Sequence, residues 1–395
     1  MDLEFWPGPQ LVWGPNAAGK TTLLEAIVLI GLGRSHRTTT DAELIRWGAD
    51  YLRVEGMVVS TSDWAANVEA HDGSGAGSSD GASAAPEQPV GGVLPLATPR
   101  GVSLEFALQS GGGRKRIQVN GVPRRPAALA EHLRTVLFAP EEMLLVIGPP
   151  ALRRAALDGL TAPHDPSYAS NVATYTRALQ QRNSLLRAIR EGEADRDQLR
   201  LWDEPFLAAG SAIVAARLRL LTLLGETLAA AHREIAPAEE RLTVGYSTNA
   251  PLLPGEGPRD ALARRLAETA EKEAWNGSTL IGPHRDDLVF SLGDRDLTTF
   301  ASRGQQRTAI LAFKLAELDL LTTLDGRPPL LLLDDVFSEL DPDRRGHLVR
   351  RIAELPQALI TTTHPDDIDP ELRRRARSWR VVPGEAGSLV VEGDT

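Results

Sequence analysis

Cysteine is absent from all 395 residues, which excludes disulfides and thiolate zinc sites and suits a cytoplasmic protein. Lysine is nearly absent as well: only Lys20, Lys115, Lys272 and Lys314 occur, and arginine carries the rest of the positive charge. No apolar stretch is expected to reach membrane-spanning length, because the most apolar helical pattern, 209–231, is interrupted by Arg217 and Arg219. The acidic start Met1-Asp2-Leu3-Glu4 lacks the charged and apolar regions of a secretory signal. Excess positive charge is lacking too. The formal net charge is −10, which argues against non-specific DNA binding by the whole surface. No internal repeat is visible.

Against this background one lysine stands in a meaningful place. Gly14-Pro15-Asn16-Ala17-Ala18-Gly19-Lys20-Thr21 fits G-x-x-x-x-G-K-[ST], the phosphate-cradling P-loop. It lies between a short apolar run (Leu11, Val12, Trp13) and a helical pattern (Leu23, Leu24, Ile27, Val28). The glycines let backbone N–H groups turn inward around phosphate oxygens. The helix that follows aims its positive end at the same anion. Lys20 supplies a point charge for the terminal phosphates, Thr22 extends the cradle, and the Thr21 hydroxyl suits Mg²⁺. The cofactors expected are ATP and Mg²⁺.

Along the chain, residues 1–60 read as strand, P-loop, helix, polar turn and strand. Residues 61–97 are dominated by Gly, Ser, Ala, Asp and Pro and read as a flexible insertion that cannot bury enough apolar surface to order itself. Alternating Val102, Leu104, Phe106 and Leu108 start a hairpin that ends at the turn dipeptide Asn120-Gly121. From 151 to 240 the pattern is helical, with a further helix over 259–272. Three basic groups occur: Arg114-Lys115-Arg116 with Arg124-Arg125, Arg153-Arg154, and Arg373-Arg374-Arg375 with Arg377 and Arg380. Each is a solvated face or part of a groove. Arg114, Lys115 and Arg116 are the choice for DNA phosphate contacts.

A second set of parts completes an ATPase. The run Leu330-Leu331-Leu332-Leu333-Asp334-Asp335 reads as a buried parallel strand ending in two carboxylates. Asp334 is expected to hold Mg²⁺, and Asp335 to activate the attacking water as general base. Ser302, Gly304 and Gln305 open a helix over 308–321, a second anion-binding amino terminus. Ala358-Leu359-Ile360-Thr361-Thr362-Thr363 runs into His364, which touches a γ-phosphate or is a loop histidine without that role. This order of parts resembles ABC-type ATPase heads, where the Ser-Gly helix of one subunit completes the nucleotide site of another. With one of each part, the resemblance implies a dimer with two shared sites.

Finer landmarks narrow the resemblance. They are Ala139-Pro140-Glu141, Gly148, Pro150, Arg153-Arg154, Leu157-Asp158, Gly282-Pro283-His284-Arg285-Asp286-Asp287, Ser302-Arg303-Gly304-Gln305-Gln306-Arg307 and Asp334-Asp335-Val336-Phe337-Ser338-Glu339-Leu340-Asp341. Together they resemble the bacterial recombination mediator family RecF. The resemblance implies an α/β fold: an ABC-type P-loop ATPase head, SMC-like, with a second, mainly helical arm lobe. The expected division is 1–150 and 277–395 for the ATPase lobe and 151–276 for the arm. It also implies ATP-dependent dimerisation on DNA, slow hydrolysis, the partners RecR and RecO, loading of recombinase at gaps, fork repair and a role in the SOS response, with no membrane partner.

Three departures are visible. Only thirteen residues precede Gly14, so the family's first strand and its Asn-Phe-Arg-Asn-Tyr-like segment are expected to be short or missing. No glutamine in 138–148 matches the Mg²⁺-watching residue of ABC heads. The insertion is not part of the family core. Two other readings compete: the motor subunit of another ABC-type machine such as a transporter, against which the 282–287 segment argues, and a scaffold that uses ATP without hydrolysing it.

Overall fold

The computed structural model describes residues 2–38, 40–59, 101–111, 115–384 and 387–393. The 61–97 insertion and Arg114 lie outside the described residues. Strand β1 (Gly8–Trp13) leads into the P-loop and the helix Lys20–Leu32, which Gly33 ends in a left-handed turn, its N–H bonding the Leu29 carbonyl. Strands β2 (Tyr51–Val59), β3 (Gly101–Gln109), β4 (Arg116–Val119) and β5 (Val122–Pro123) form an antiparallel sheet in that order. Its inner face packs Leu104, Phe106 and Ile117 on Leu29 and Ile30 of the P-loop helix.

The main sheet runs β13-β12-β1-β11-β10-β6, with β6 Thr135–Phe138, β10 Leu330–Asp334, β11 Gln357–Thr362, β12 Arg377–Gly384 and β13 Gly387–Glu392. All neighbours are parallel except β12 and β13. As the leucine run of β10 requires, both faces are covered. Leu331 and Leu333 enter the larger core, and Leu332 enters the cluster beneath the P-loop helix. The order β1-β11-β10 matters most, because it sets three carboxyl-terminal strand ends side by side, where ligands of open α/β sheets sit.

The helices Tyr168–Glu191, Arg200–Ile235 and Pro258–Asn276 form a separate cluster around Tyr168, Tyr175, Phe206 and Ile213. The 36-residue helix Arg200–Ile235 belongs to both packings. Phe206, Ala209, Ile213 and Ala216 belong to this cluster, and Leu220, Leu224, Leu228 and Ile235 belong to the larger core. By length and composition alone this helix is apolar enough to cross a bilayer, which corrects the sequence expectation. Its buried apolar side chains are divided between two protein cores. Strands β7 (Leu242–Ser247), β8 (Asp287–Leu292) and β9 (Arg295–Asp296) make a third, antiparallel sheet. Phe290 of β8 meets Phe313 of the helix Arg303–Asp325 edge to face, ring centres 5.5 Å apart.

Where the long helix passes from one core to the other, Arg217 is only 4% exposed. Its Nη2 donates to Asp158 Oδ1 at 2.7 Å and its Nη1 to the Pro283 carbonyl at 2.8 Å. Tyr168 and Tyr246 hydroxyls complete the cage, and Tyr246 donates onward to Asp286 Oδ2 at 2.7 Å. The landmark segment 282–287 is thus tied to the long helix and to β7. A buried arginine is held only while its partners stay. Asp158 is about a third exposed, so water takes up part of the loss. Arg217→Leu should therefore cost about 2–4 kcal/mol, read as a lower urea midpoint.

Candidate nucleotide site

The P-loop geometry follows from its glycines. A Cβ on Gly14 would lie 2.2 Å from the Val381 carbonyl oxygen of β12, so the chain turns there only without a side chain. Gly19 sits at φ 103° and Ala17 at φ 61°, left-handed conformations that fold the loop inward. Gly14→Ala must push two backbones apart. The expected cost is about 1–3 kcal/mol, together with loss of any thermal upshift on adding ATP. A melting curve with and without nucleotide measures both.

Lys20 reaches back across the loop and donates to the Gly14 carbonyl at 2.8 Å and the Pro15 carbonyl at 3.1 Å. Burial lowers its pKa, and Asp335 and Asp334 push the other way. Thr21 lies in the first turn of the helix, half-buried, with Thr22 exposed beside it.

Across the sheet, the register places Asp334 opposite Thr361, and Thr361 opposite Val12. The Thr361 hydroxyl donates to Asp334 Oδ1 at 2.6 Å and accepts the Asp335 N–H at 3.1 Å. One threonine therefore fixes both carboxylate residues. The sequence reading missed it. The available signal was three hydroxyls closing an apolar strand: Thr361 and Thr362 are fully buried, and buried hydroxyls need partners. Asp335 sits at φ 51°, a conformation aspartate tolerates better than most residues. Burial raises its pKa, and Lys20 opposes the rise more than any other neighbour. A cavity of about 20 Å³ beside the two carboxylates is lined by Pro140, Met143, Val336 and Arg307.

His364 lies at the end of β11, exposed, and its carbonyl accepts the Thr362 hydroxyl at 3.1 Å. The fold thus gathers residues 14–22, Asp334, Asp335 and His364 on three adjacent strand ends. Ser302, Gly304 and Gln305 stand apart. Ser302 caps the helix Arg303–Asp325 through a reciprocal pair, its Oγ accepting the Gln305 N–H at 3.3 Å and its N–H donating to Gln305 Oε1 at 3.0 Å. Among the described contacts none links 302–305 to the P-loop.

Two of the basic groups are largely spent inside the molecule. Arg153 is buried and clasps Asp287 with two bonds of 2.7 and 2.8 Å, and Arg154 donates to the Asp286 carbonyl. Arg373, Arg375 and Arg377 pair with Asp366, Glu371 and Glu392. Lys115 and Arg116 pair with Asp41 and Glu105 at the surface, so a phosphate there competes with carboxylates.

Thr21 and Asp334 offer a hydroxyl and a carboxylate, donors that fit a small hard cation keeping most of its water. Among the described residues no cluster of three or more His, Cys, Asp or Glu could hold a metal on its own.

No family model matches the chain. A protein of Heliobacterium modesticaldum named DNA replication and repair protein RecF is 36% identical over 389 residues, covering 98% of this chain and 94% of its own length. A Chloroflexus aurantiacus protein of the same name is 37% identical over 98% of this chain and 95% of its own. The chain belongs to the RecF family. A solved structure of the recombination mediator RecF with ATP, from the RecFOR pathway, matches with TM-score 0.80 and 29% identity over 99% of this chain and 93% of that one. The Smc head of Pyrococcus furiosus, bound to part of ScpA, shares the fold alone: TM-score 0.50 and 14% identity over 98% of this chain and 90% of that one. The architecture is that of an ABC-type ATPase head. RecF relatives are replication and repair proteins, which sets the transporter-motor reading aside.

Proposed function

We propose that this protein is an ATP-driven, DNA-binding ATPase of recombinational repair, in which two copies clasp two ATP molecules between them. The observation that carries this reading is a separation. The P-loop and both carboxylates converge on one edge of the sheet, while Ser302, Arg303 and Gly304 are exposed at the helix start, and among the described contacts none links them to the P-loop. A two-fold pair supplies each P-loop with the Ser302 turn of its mate.

Within each site, the backbone of residues 14–19 with Thr21 and Thr22 cradles the phosphates. Lys20 leaves its two loop carbonyls to meet the terminal phosphate. Asp335 takes a proton from the attacking water. Thr361 holds Asp334 and the Asp335 peptide in place, and His364 approaches the γ-phosphate from the neighbouring strand end. Thr21 and Asp334 would hold Mg²⁺, which would supply neutralisation of developing phosphate charge. Hydrolysis is slow and stimulated by DNA. It opens the pair after RecR and RecO have been engaged at a gap; the protein works in the cytoplasm and takes part in SOS induction.

Sedimentation with and without magnesium ATP and duplex DNA tests the whole reading. The expected result is a shift from one chain to two with ATP, and a heavier DNA-bound species. A single-chain particle in saturating nucleotide, with DNA present, rejects it.

A further inference from the structure

The ATPase core contains a charged cluster that the site does not use. Lys314 lies in the middle of the helix Arg303–Asp325, 8% exposed, on a stretch where Ile310, Leu311, Leu315 and Leu318 are also buried. Its Nζ meets Glu142 Oε2 at 2.6 Å and Glu317 Oε2 at 3.1 Å. Two part-buried carboxylates thus share one buried ammonium, and burial pushes the Glu317 carboxyl up. Burying such groups is costly, and well-packed apolar side chains commonly serve stability as well or better. A leucine or methionine at 314 would match its neighbours, so packing alone does not account for the charges.

The connections of the cluster suggest what does. Glu142 belongs to the short turn Pro140–Met143. In the same turn, Pro140 and Met143 line the cavity at Asp334 and Asp335. Lys314 belongs to the helix that Ser302 opens, about 18 Å upstream. Arg307 of that helix also lines the cavity. One ion pair therefore joins the wall beside a chain's own carboxylates to the helix whose start faces outward. If the turn moved without the helix, Lys314 would keep only Glu317, and Glu142, 20% exposed, would lose its cation.

We infer that Lys314 and Glu142 are positioning residues whose buried ion pair makes the turn Pro140–Met143 and the helix Arg303–Asp325 move as one body, coupling each nucleotide site to the Ser302 turn offered to the second copy. The inference rests on the composite-site reading above. Neither residue touches nucleotide. Their effect falls on turnover and on closure of the pair, not on the first capture of ATP.

The test compares Lys314→Met, Glu142→Gln, their double, and the neutral triple that adds Glu317→Gln. The triple avoids stranding a charge and should melt no lower than the parent. Expected are affinities for a fluorescent ATP analogue within about threefold of parental and a DNA-stimulated kcat lowered at least about tenfold at unchanged KM. The double should be no worse than the worse single, because one interaction is removed twice. Parental kcat in the folded triple overturns the inference, as does a kcat loss that merely follows the melting midpoint. If the parental chain itself fails to pair or hydrolyse ATP, the composite-site reading fails and takes the coupling with it. An active parent with an equally active triple sinks the coupling alone.

Discussion

Lys20→Met binds ATP roughly 10- to 100-fold more weakly than the parent and no longer pairs or stays on DNA in its presence. The magnitude follows from losing charge-assisted hydrogen bonds to phosphate, worth about 1.5–3 kcal/mol. The fold survives, because Lys20 bonds only two carbonyls at the mouth of its own loop, and water satisfies those. A second effect accompanies the first. Lys20 is the main group holding the Asp335 pKa down against burial. Without it the carboxyl protonates more readily, so residual hydrolysis should fall off at a higher pH than in the parent. Equilibrium binding of a fluorescent ATP analogue, with a pH profile of residual turnover, measures both. Unchanged affinity would remove Lys20 from the site.

Asp335→Asn shows the opposite phenotype. It binds ATP, pairs, and remains on DNA, while kcat drops by about 10²- to 10⁴-fold, the range of general-base catalysis. Asparagine is the informative replacement because it accepts the left-handed backbone at φ 51° that alanine would strain. Burial raises the carboxyl pKa in the folded chain. Ionising Asp335 therefore costs folding free energy as pH rises through that pKa, and a neutral amide removes the cost. The melting midpoint at neutral pH should be no lower than parental. Parental turnover would assign the base elsewhere.

Much of this site was legible because its parts are contiguous in sequence. Residues 14–21 announce a phosphate cradle, and Leu330 to Asp335 announce a buried strand ending in carboxylates. The helix start at Ser302 followed from a Ser and a Gly ahead of a helical pattern. What escaped is pairing across long separations. Thr361 binds Asp334 from 27 residues away, and Arg153 meets Asp287 from 134. Charge alone marked Arg153-Arg154 as a face or groove, yet Arg153 is buried by partners that composition cannot place. The apolar repeat of the long helix revealed a helix, but periodicity does not say what it packs against. Strand order was hidden for the same reason: nothing local sets β1 between β11 and β12.

The helix Arg200–Ile235 also limits how this molecule can be dissected. One end of it completes the arm cluster, and the other supplies Leu224 and Leu228 to the core beneath the strands. Excising the arm at its apparent borders would tear out part of the head's own foundation. Any trimmed version must keep the lower half of that helix and bridge only across its upper half.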